Sequence, residues 1–278
     1  MSIMCCVYVP EGIVLAADSR LTKTKRQEIQ IIDTDIKSPV PQIGILDTAY
    51  TLSDNTQKVI LIKKANVGIT FCGEAIVGRS TVADFIRKFE IEMVTENDTT
   101  ETITKKLAQY YNDNRTHFFV AGYDDDIPYV FDLNNGIIKR QNMTSFKTID
   151  NMVREKLEND EDIEKDTGIP ENVKEIYHIG IEKTDKEDVI SQLLYGSAWA
   201  GQMTAITKVV NNAPTLNVDW NTMPLKDAAD LAEFLIDTTI KYERFCDDIQ
   251  TCGGESDILI ITKDEAFWKQ HKIYKPNR

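Results

Sequence analysis

The chain has 278 residues, 42% hydrophobic and 28% charged, and a net charge of −13. That is the composition of an ordinary soluble globular protein with one large domain or two small ones, and its acidity excludes nucleic acid as a partner, since no basic stripe exists to neutralise phosphates. No apolar run approaches the ~18 residues of a membrane span, and no basic stretch followed by an apolar core opens the chain, so neither a membrane helix nor a secretory signal is expected.

Two short apolar runs open the sequence, Ile3–Val9 and Gly12–Ala17, with Pro10-Glu11-Gly12 between them as a turn. Thr22–Asn55 is polar, contains Pro39 and Pro41, and reads as an extended excursion with an extra strand pair. Lys58–Ile62 and Val67–Cys72 are strands joined by a short turn. A helix over about Arg79–Met93 follows, with Val82, Phe85, Ile86, Phe89 and Met93 on one face. A second helix covers about Thr100–Asn112. Phe118–Tyr123, Pro128–Leu133 and Ile137–Arg140 are strands, the last two joined by the hairpin turn Asn134-Asn135-Gly136.

Asp150–Asp188 differs in character: 14 acidic against 6 basic residues, a net of −8. It reads as a solvated surface insertion with a short helix around Met152–Leu157 and a strand near Glu175–Ile181. A third helix is expected over about Ala198–Asn211, and a fourth from Leu225 to about Phe245 with Ala228, Leu231, Ala232, Leu235, Thr238 and Tyr242 at helical spacing. Ile258–Thr262 is a last buried strand. Strands and helices come in blocks, which suits sheets covered by helix layers better than a βαβ winding.

The five cysteines, Cys5, Cys6, Cys72, Cys246 and Cys252, are odd in number and lack a C-x-x-C pair, and the three histidines show no ligand spacing. Neither a disulfide framework nor a metal site is expected; reduced thiols point to a cytoplasmic protein, and no cofactor is indicated. Cys5 and Cys6 read as small core residues rather than nucleophiles. Gly253-Gly254 reads as a tight turn, not a phosphate cradle, because no P-loop lysine follows.

Chemistry concentrates at the start. Folding the first hairpin brings Ser2 roughly opposite Asp18–Arg20, so a hydroxyl residue lies near the carboxylate of Asp18. Once Met1 is removed, the Ser2 α-amine, with an unperturbed pKa of about 7.7–8.0, suits general-base work on its own hydroxyl. Taken singly, Ser2 is also what a small second residue looks like, Asp18 what a strand-end carboxylate looks like, and Lys58 what a surface lysine looks like.

Four segments together resemble the proteasome β-subunit superfamily of N-terminal nucleophile hydrolases: Gly12–Arg20 (GIVLAADSR), Gln57–Gly73 (QKVILIKKANVGITFCG), Val120–Tyr123 with Pro128–Gly136 (VAGY and PYVFDLNNG), and Thr251–Thr262 (TCGGESDILIIT). The long acidic insertion and the Leu225–Phe245 helix make the resemblance closer to a bacterial proteasome-like branch, the ancestral-β-subunit type among them, than to a true 20S subunit. The resemblance implies one α+β domain over residues 1–278, a four-layer α/β/β/α sandwich of two antiparallel sheets with a helix pair outside each, carrying insertions at about 22–55 and 142–189.

It also implies roles. The nucleophile falls on Ser2, where most members have Thr; the missing methyl leaves its χ1 less restrained. The strand-end carboxylate falls on Asp18, the catalytic lysine on Lys58 and the oxyanion-hole glycine on Gly73. A supporting serine falls on Ser197, which as a bare residue is also an N-cap for the third helix. A last supporting pair falls near Asp248 and Thr251, with Asp247 and Cys252 as competitors. The implied reaction is attack of Ser2 Oγ on a carbonyl of a peptide or amide substrate, with Lys58 as the neighbouring positive charge and the Gly73 N–H facing the oxyanion. A catalytically inactive scaffold and a small-molecule amidase on the same fold are the alternatives. Relatives enclose their sites in rings or spirals, so a homo-oligomer is expected, with the acidic segment on its exterior; no ATPase or other protein partner is deducible.

Overall fold

A computed structural model describes residues 2–31, 42–111, 115–145, 179–184, 187–210, 218–246 and 249–272. Strands β1 (Ile3–Val9) and β2 (Gly12–Ala17) form the first hairpin, turning at Pro10-Glu11. A long second hairpin follows, β3 (Leu21–Ile31) and β4 (Gln42–Ser53). Then come β5 (Val59–Ile62), β6 (Val67–Gly73) and the short pair β7 (Ile76–Val77) and β8 (Ser80–Thr81). Helices α1 (Val82–Met93) and α2 (Thr100–Tyr110) precede β9 (Thr116–Asp124), β10 (Ile127–Asn134) and β11 (Ile137–Arg140). Next are β12 (Met143–Ser145), β13 (Ile179–Thr184), β14 (Glu187–Leu193) and β15 (Gly196–Gly201). Helices α3 (Thr204–Val210) and α4 (Leu225–Glu243) and strands β16 (Asp257–Ile261) and β17 (Ala266–Gln270) complete the order.

The architecture is mixed α and β, dominated by antiparallel sheets, with four helices among the described residues. One five-stranded sheet runs β15-β1-β2-β16-β17 and another β11-β10-β9-β6-β5, every neighbouring pair antiparallel. Met4, Leu15 and Leu259 of the first sheet pack with Val59, Cys72 and Phe119 of the second. The opposite face of the second sheet, including Ile60, Ile69 and Phe118, packs with Ile86 and Phe89 of α1 and Ile103 and Leu107 of α2. The opposite face of the first, including Ile3, Val7 and Val14, packs with Ala228, Ala232 and Leu235 of α4. Covered on both faces, β1 and β2 are buried at every position, which is why they read as unbroken apolar runs instead of alternating ones. Each such Ile, Val or Leu contributes roughly 1.5–3 kcal/mol by burial.

The first two helices are capped as their sequence suggests: the Thr81 hydroxyl accepts the Asp84 N–H and the Thr99 hydroxyl the Thr102 N–H. Helix α4 follows Pro224 and borrows its cap, the Leu225 N–H donating to Glu11 Oε2 at 2.8 Å.

Two expectations are corrected. The third helix does not begin at Ala198: residues 196–201 are strand β15, and α3 covers only Thr204–Val210. Pairing with β1 along its length outweighs the helical preference of Ala198 and Ala200. The buried residues of α4 are Ala228, Ala229, Ala232, Leu235, Ile236, Thr239 and Glu243, so Leu231, Thr238 and Tyr242 of the expected spacing are not among them. The excursion over 22–55 contains the long β3–β4 hairpin. Much of the acidic segment, including the helix expected near Met152–Leu157, lies outside the described residues; its last part joins the small sheet β12-β14-β13. No helix among the described residues is long and apolar enough to cross a membrane.

Candidate active site

The start of β1 and the end of β2 meet because the hairpin register pairs Met4 with Ala17. Beyond that pair the chain locks with side-chain help: Asp18 N–H donates to Ile3 O at 3.2 Å, and Ile3 N–H returns to Asp18 Oδ1 at 3.1 Å. Ser2 is 3% exposed. Its carbonyl accepts the Gln202 N–H at 2.7 Å. Gly201, at φ +99°, permits that approach, since a Cβ there would overlap the Ser2 carbonyl.

Lys58 arrives from the start of β5, 1% exposed, with Nζ donating to Ser2 Oγ at 2.6 Å and to Asp18 Oδ1 at 2.7 Å. Asp18 is fully buried. Its Oδ2 accepts the Arg20 and Gly253 N–H groups, both at 3.1 Å. A buried ion pair is tolerated only when its remaining lone pairs are satisfied, and here four donors converge on one carboxylate. The arrangement holds a cation against a serine hydroxyl.

Gly73 ends β6 on the same side. Phe71 N–H donates to Lys58 O at 3.1 Å and Glu74 N–H to Arg115 O at 3.0 Å. Gly73 has φ +103°, and a Cβ there would overlap the Arg115 carbonyl oxygen. Ser2 and Gly73 both line a cleft of about 670 Å³, with Arg20, Thr22, Ala75 and Arg115 among its walls. Thr22 Oγ1 on that wall is buried without a hydrogen-bond partner among the described residues.

The structure thus brings Ser2, Asp18, Lys58 and Gly73 to one place. It does not bring Ser197, which pairs with Val7 on β15 while Gly201 pairs with Ile3. Four residues of strand, roughly 13 Å, separate Ser197 from the Ser2 end, and it caps no helix because it lies inside β15. The β15 end at Gly201 and Gln202 is what meets Ser2. Asp248, and its competitor Asp247, lie outside the described residues. Thr251 is buried near the site, but its N–H and hydroxyl go to Glu243, at 2.7 and 2.8 Å.

Glu243 was not singled out from the sequence. The available signal is a carboxylate four residues beyond Thr239 on the buried side of α4; a spacing that ends in Thr238 and Tyr242 falls one residue, about 100° of helix, short of Thr239 and Glu243.

The four buried thiols offer no competing nucleophile. Burial pushes Cys5 and Cys72 up to about 12, in Cys72 against the opposing pull of Lys58, and raises Cys6 and Cys252 as well. Cys246 alone among the five is not buried. Titration of the native protein with a thiol reagent at pH 8 should therefore register one fast group, with the other four appearing only on unfolding. A second thiol reacting as fast as the first would contradict this burial pattern. Among the described residues, no group of three or more His, Cys, Asp and Glu side chains is gathered to hold a metal ion.

No protein-family model matches the chain, and no curated protein does. Among solved structures, that of the Anbu (Gly-1) mutant from Hyphomicrobium sp. strain MC1 is similar, 13% identical, covering 98% of this chain and 86% of that one with a TM-score of 0.50. The likeness is one of architecture and says nothing of activity: the chain has a proteasome-like fold.

Proposed function

We propose that this chain is an N-terminal nucleophile hydrolase of the proteasome-like kind, cleaving a peptide or amide bond with Ser2. The observation that carries the reading is the buried chain from Asp18 through Lys58 Nζ to Ser2 Oγ, at 2.7 and 2.6 Å, opening on a cleft. On this reading residues 1–278 form one four-layer α/β/β/α domain, and the packing of α1 and α2 on one sheet and α4 on the other supports it.

Removal of Met1 frees the Ser2 amine. The amine, through a water, takes the proton from Oγ as Oγ attacks the substrate carbonyl. The Lys58 ammonium favours the developing alkoxide, and the Gly73 N–H faces the oxyanion. Collapse expels the amine half of the substrate with the proton, leaving an ester on Ser2, which water hydrolyses to regenerate the hydroxyl. The protein acts as a cytoplasmic homo-oligomer, whose assembly restricts which substrates reach the cleft.

The mass of the natural protein's N-terminus and a scan of fluorogenic peptides test this together. A mass beginning at Ser2 is expected, with hydrolysis that falls about 10³-fold or more in Ser2→Ala. Met1 retained throughout the pool with no turnover would leave an inactive scaffold on the same fold as the reading to adopt, and turnover indifferent to Ser2→Ala would remove Ser2 as the nucleophile.

A further inference from the structure

Glu243 closes α4 with its carboxylate 4% exposed and turned onto backbone. Oε2 accepts the N–H of Thr251 at 2.7 Å and of Cys252 at 2.6 Å, and Oε1 accepts the Thr251 hydroxyl at 2.8 Å. Hydrogen bonds to an ionised carboxylate are about twice as strong as neutral ones, so residues 251 and 252 are pinned to the helix end.

The next residue is Gly253, whose N–H donates to Asp18 Oδ2 and whose carbonyl accepts the Ser19 N–H at 2.8 Å. Its outer side is closed by Arg20: a Cβ on Gly253 would overlap that guanidinium. Asp54 and Gln250 hold Arg20 in place, the Asp54 contacts at 2.7 and 3.2 Å. The segment is therefore clamped by Glu243 from the helix and by Arg20 from the loop, and what the clamp delivers is one N–H aimed at Asp18.

We propose that Glu243 is a positioning residue for the hydrolytic site, an inference that rests on the hydrolase reading above. By fixing Thr251 and Cys252 it places the Gly253 N–H, which stops the Asp18 carboxylate from turning about χ2. That keeps Oδ1 in line with Lys58 Nζ, and Lys58 on Ser2 Oγ. Glu243 touches neither substrate nor nucleophile. It acts through Gly253, Asp18 and Lys58 in turn. A small displacement at the end of such a relay is costly, since misplacing a reacting group by about 1 Å can lower a rate 10²-fold.

The test uses the full-length processed protein, with steady-state peptide hydrolysis and amide hydrogen exchange over residues 249–257. Glu243→Ala leaves two N–H groups unpaired. It should lower kcat per folded molecule by about ten-fold or more, with KM within about three-fold, and speed exchange at 251–253 by about ten-fold. Glu243→Gln keeps the shape: its Oε1 accepts both N–H groups and its amide donates to the Thr251 hydroxyl. It should restore both readouts to near wild type. If Glu243→Ala does not fold, Glu243→Asp, one methylene shorter, is read in the same way.

A folded alanine variant with wild-type kcat overturns the proposal, as does a glutamine variant no better than alanine. A wild type without turnover on any peptide overturns the hydrolase reading and this catalytic role with it. The exchange arm then decides alone whether Glu243 fixes the segment: unchanged protection in Glu243→Ala refutes the clamp, and faster exchange upholds it for whatever chemistry Asp18 and Lys58 serve.

Discussion

Lys58→Ala is expected to lower hydrolysis by about 10³-fold or more and to weaken the fold at the same time, for two separable reasons. Its ammonium donates to Ser2 Oγ at 2.6 Å and to Asp18 Oδ1 at 2.7 Å, with both charged partners at most 1% exposed. Removing it takes the positive charge away from the developing alkoxide. It also leaves Asp18 as a buried, uncompensated anion, which costs roughly 3–5 kcal/mol. The remaining donors from Ile3, Arg20 and Gly253 soften that cost without cancelling the charge. The double variant Asp18→Ala/Lys58→Ala separates the two effects, because it removes the orphaned charge together with its partner. It should regain part of the stability lost in Lys58→Ala and none of the turnover. Urea midpoints and kcat/KM compared at matched folded fraction measure both. Turnover within ten-fold of wild type in folded Lys58→Ala would remove Lys58 from the mechanism.

Gly73→Ala is expected to cost about 10²–10³ in kcat, the usual worth of one oxyanion donor. Gly73 sits at φ +103°, where a side chain is strained, and its Cβ would overlap the Arg115 carbonyl oxygen. That atom is backbone in the β9 approach, so the overlap is relieved only by moving the end of β6, and the Gly73 N–H moves with it. A stability loss of roughly 1–3 kcal/mol should accompany the kinetic one. Gly78→Ala is the matched control. It lines the same cleft, also has positive φ (+62°), and meets nothing within 4 Å. It should carry backbone strain of about 1–2 kcal/mol and near-normal kcat. If Gly73→Ala keeps kcat within three-fold of wild type, the N–H does not serve the oxyanion.

Most strands were legible because their pattern is local. Ile3–Val9 and Gly12–Ala17 are apolar runs bounded by a turn, and the structure has strands at those same residues. The Asn134-Asn135-Gly136 turn placed β10 and β11, and Asn135 and Gly136 take the positive φ that such a turn requires. The meeting of Ser2 with Asp18 followed from one short hairpin, where register leaves little freedom. Lys58 was harder, since it comes from the other sheet. Its position marks only the start of a strand, and the packing of the two sheets puts Nζ between Asp18 and Ser2.

Residues 196–201 failed for the opposite reason. Gly-Ser-Ala-Trp-Ala-Gly has no period of its own to mark a strand, and it becomes one because the edge of β1 is open to receive it. That pairing carries Ser197 away from Ser2 and brings Gly201 and Gln202 instead. Glu243 was hidden in a similar way: a one-residue error in the phase of a helical stripe moves a side chain from core to surface, and the carboxylate is recognisable only once the amides of Thr251 and Cys252 are seen to close on it. The sequence by itself determined the apolar runs, the turns and the hairpin that sets a serine beside an aspartate, because contacts between near neighbours are enforced by short loops. The tertiary structure decided which strand fills a sheet edge, where a buried lysine points and which carboxylate holds a distant loop, because those depend on groups far apart in the chain competing for the same unpaired backbone and the same buried charge.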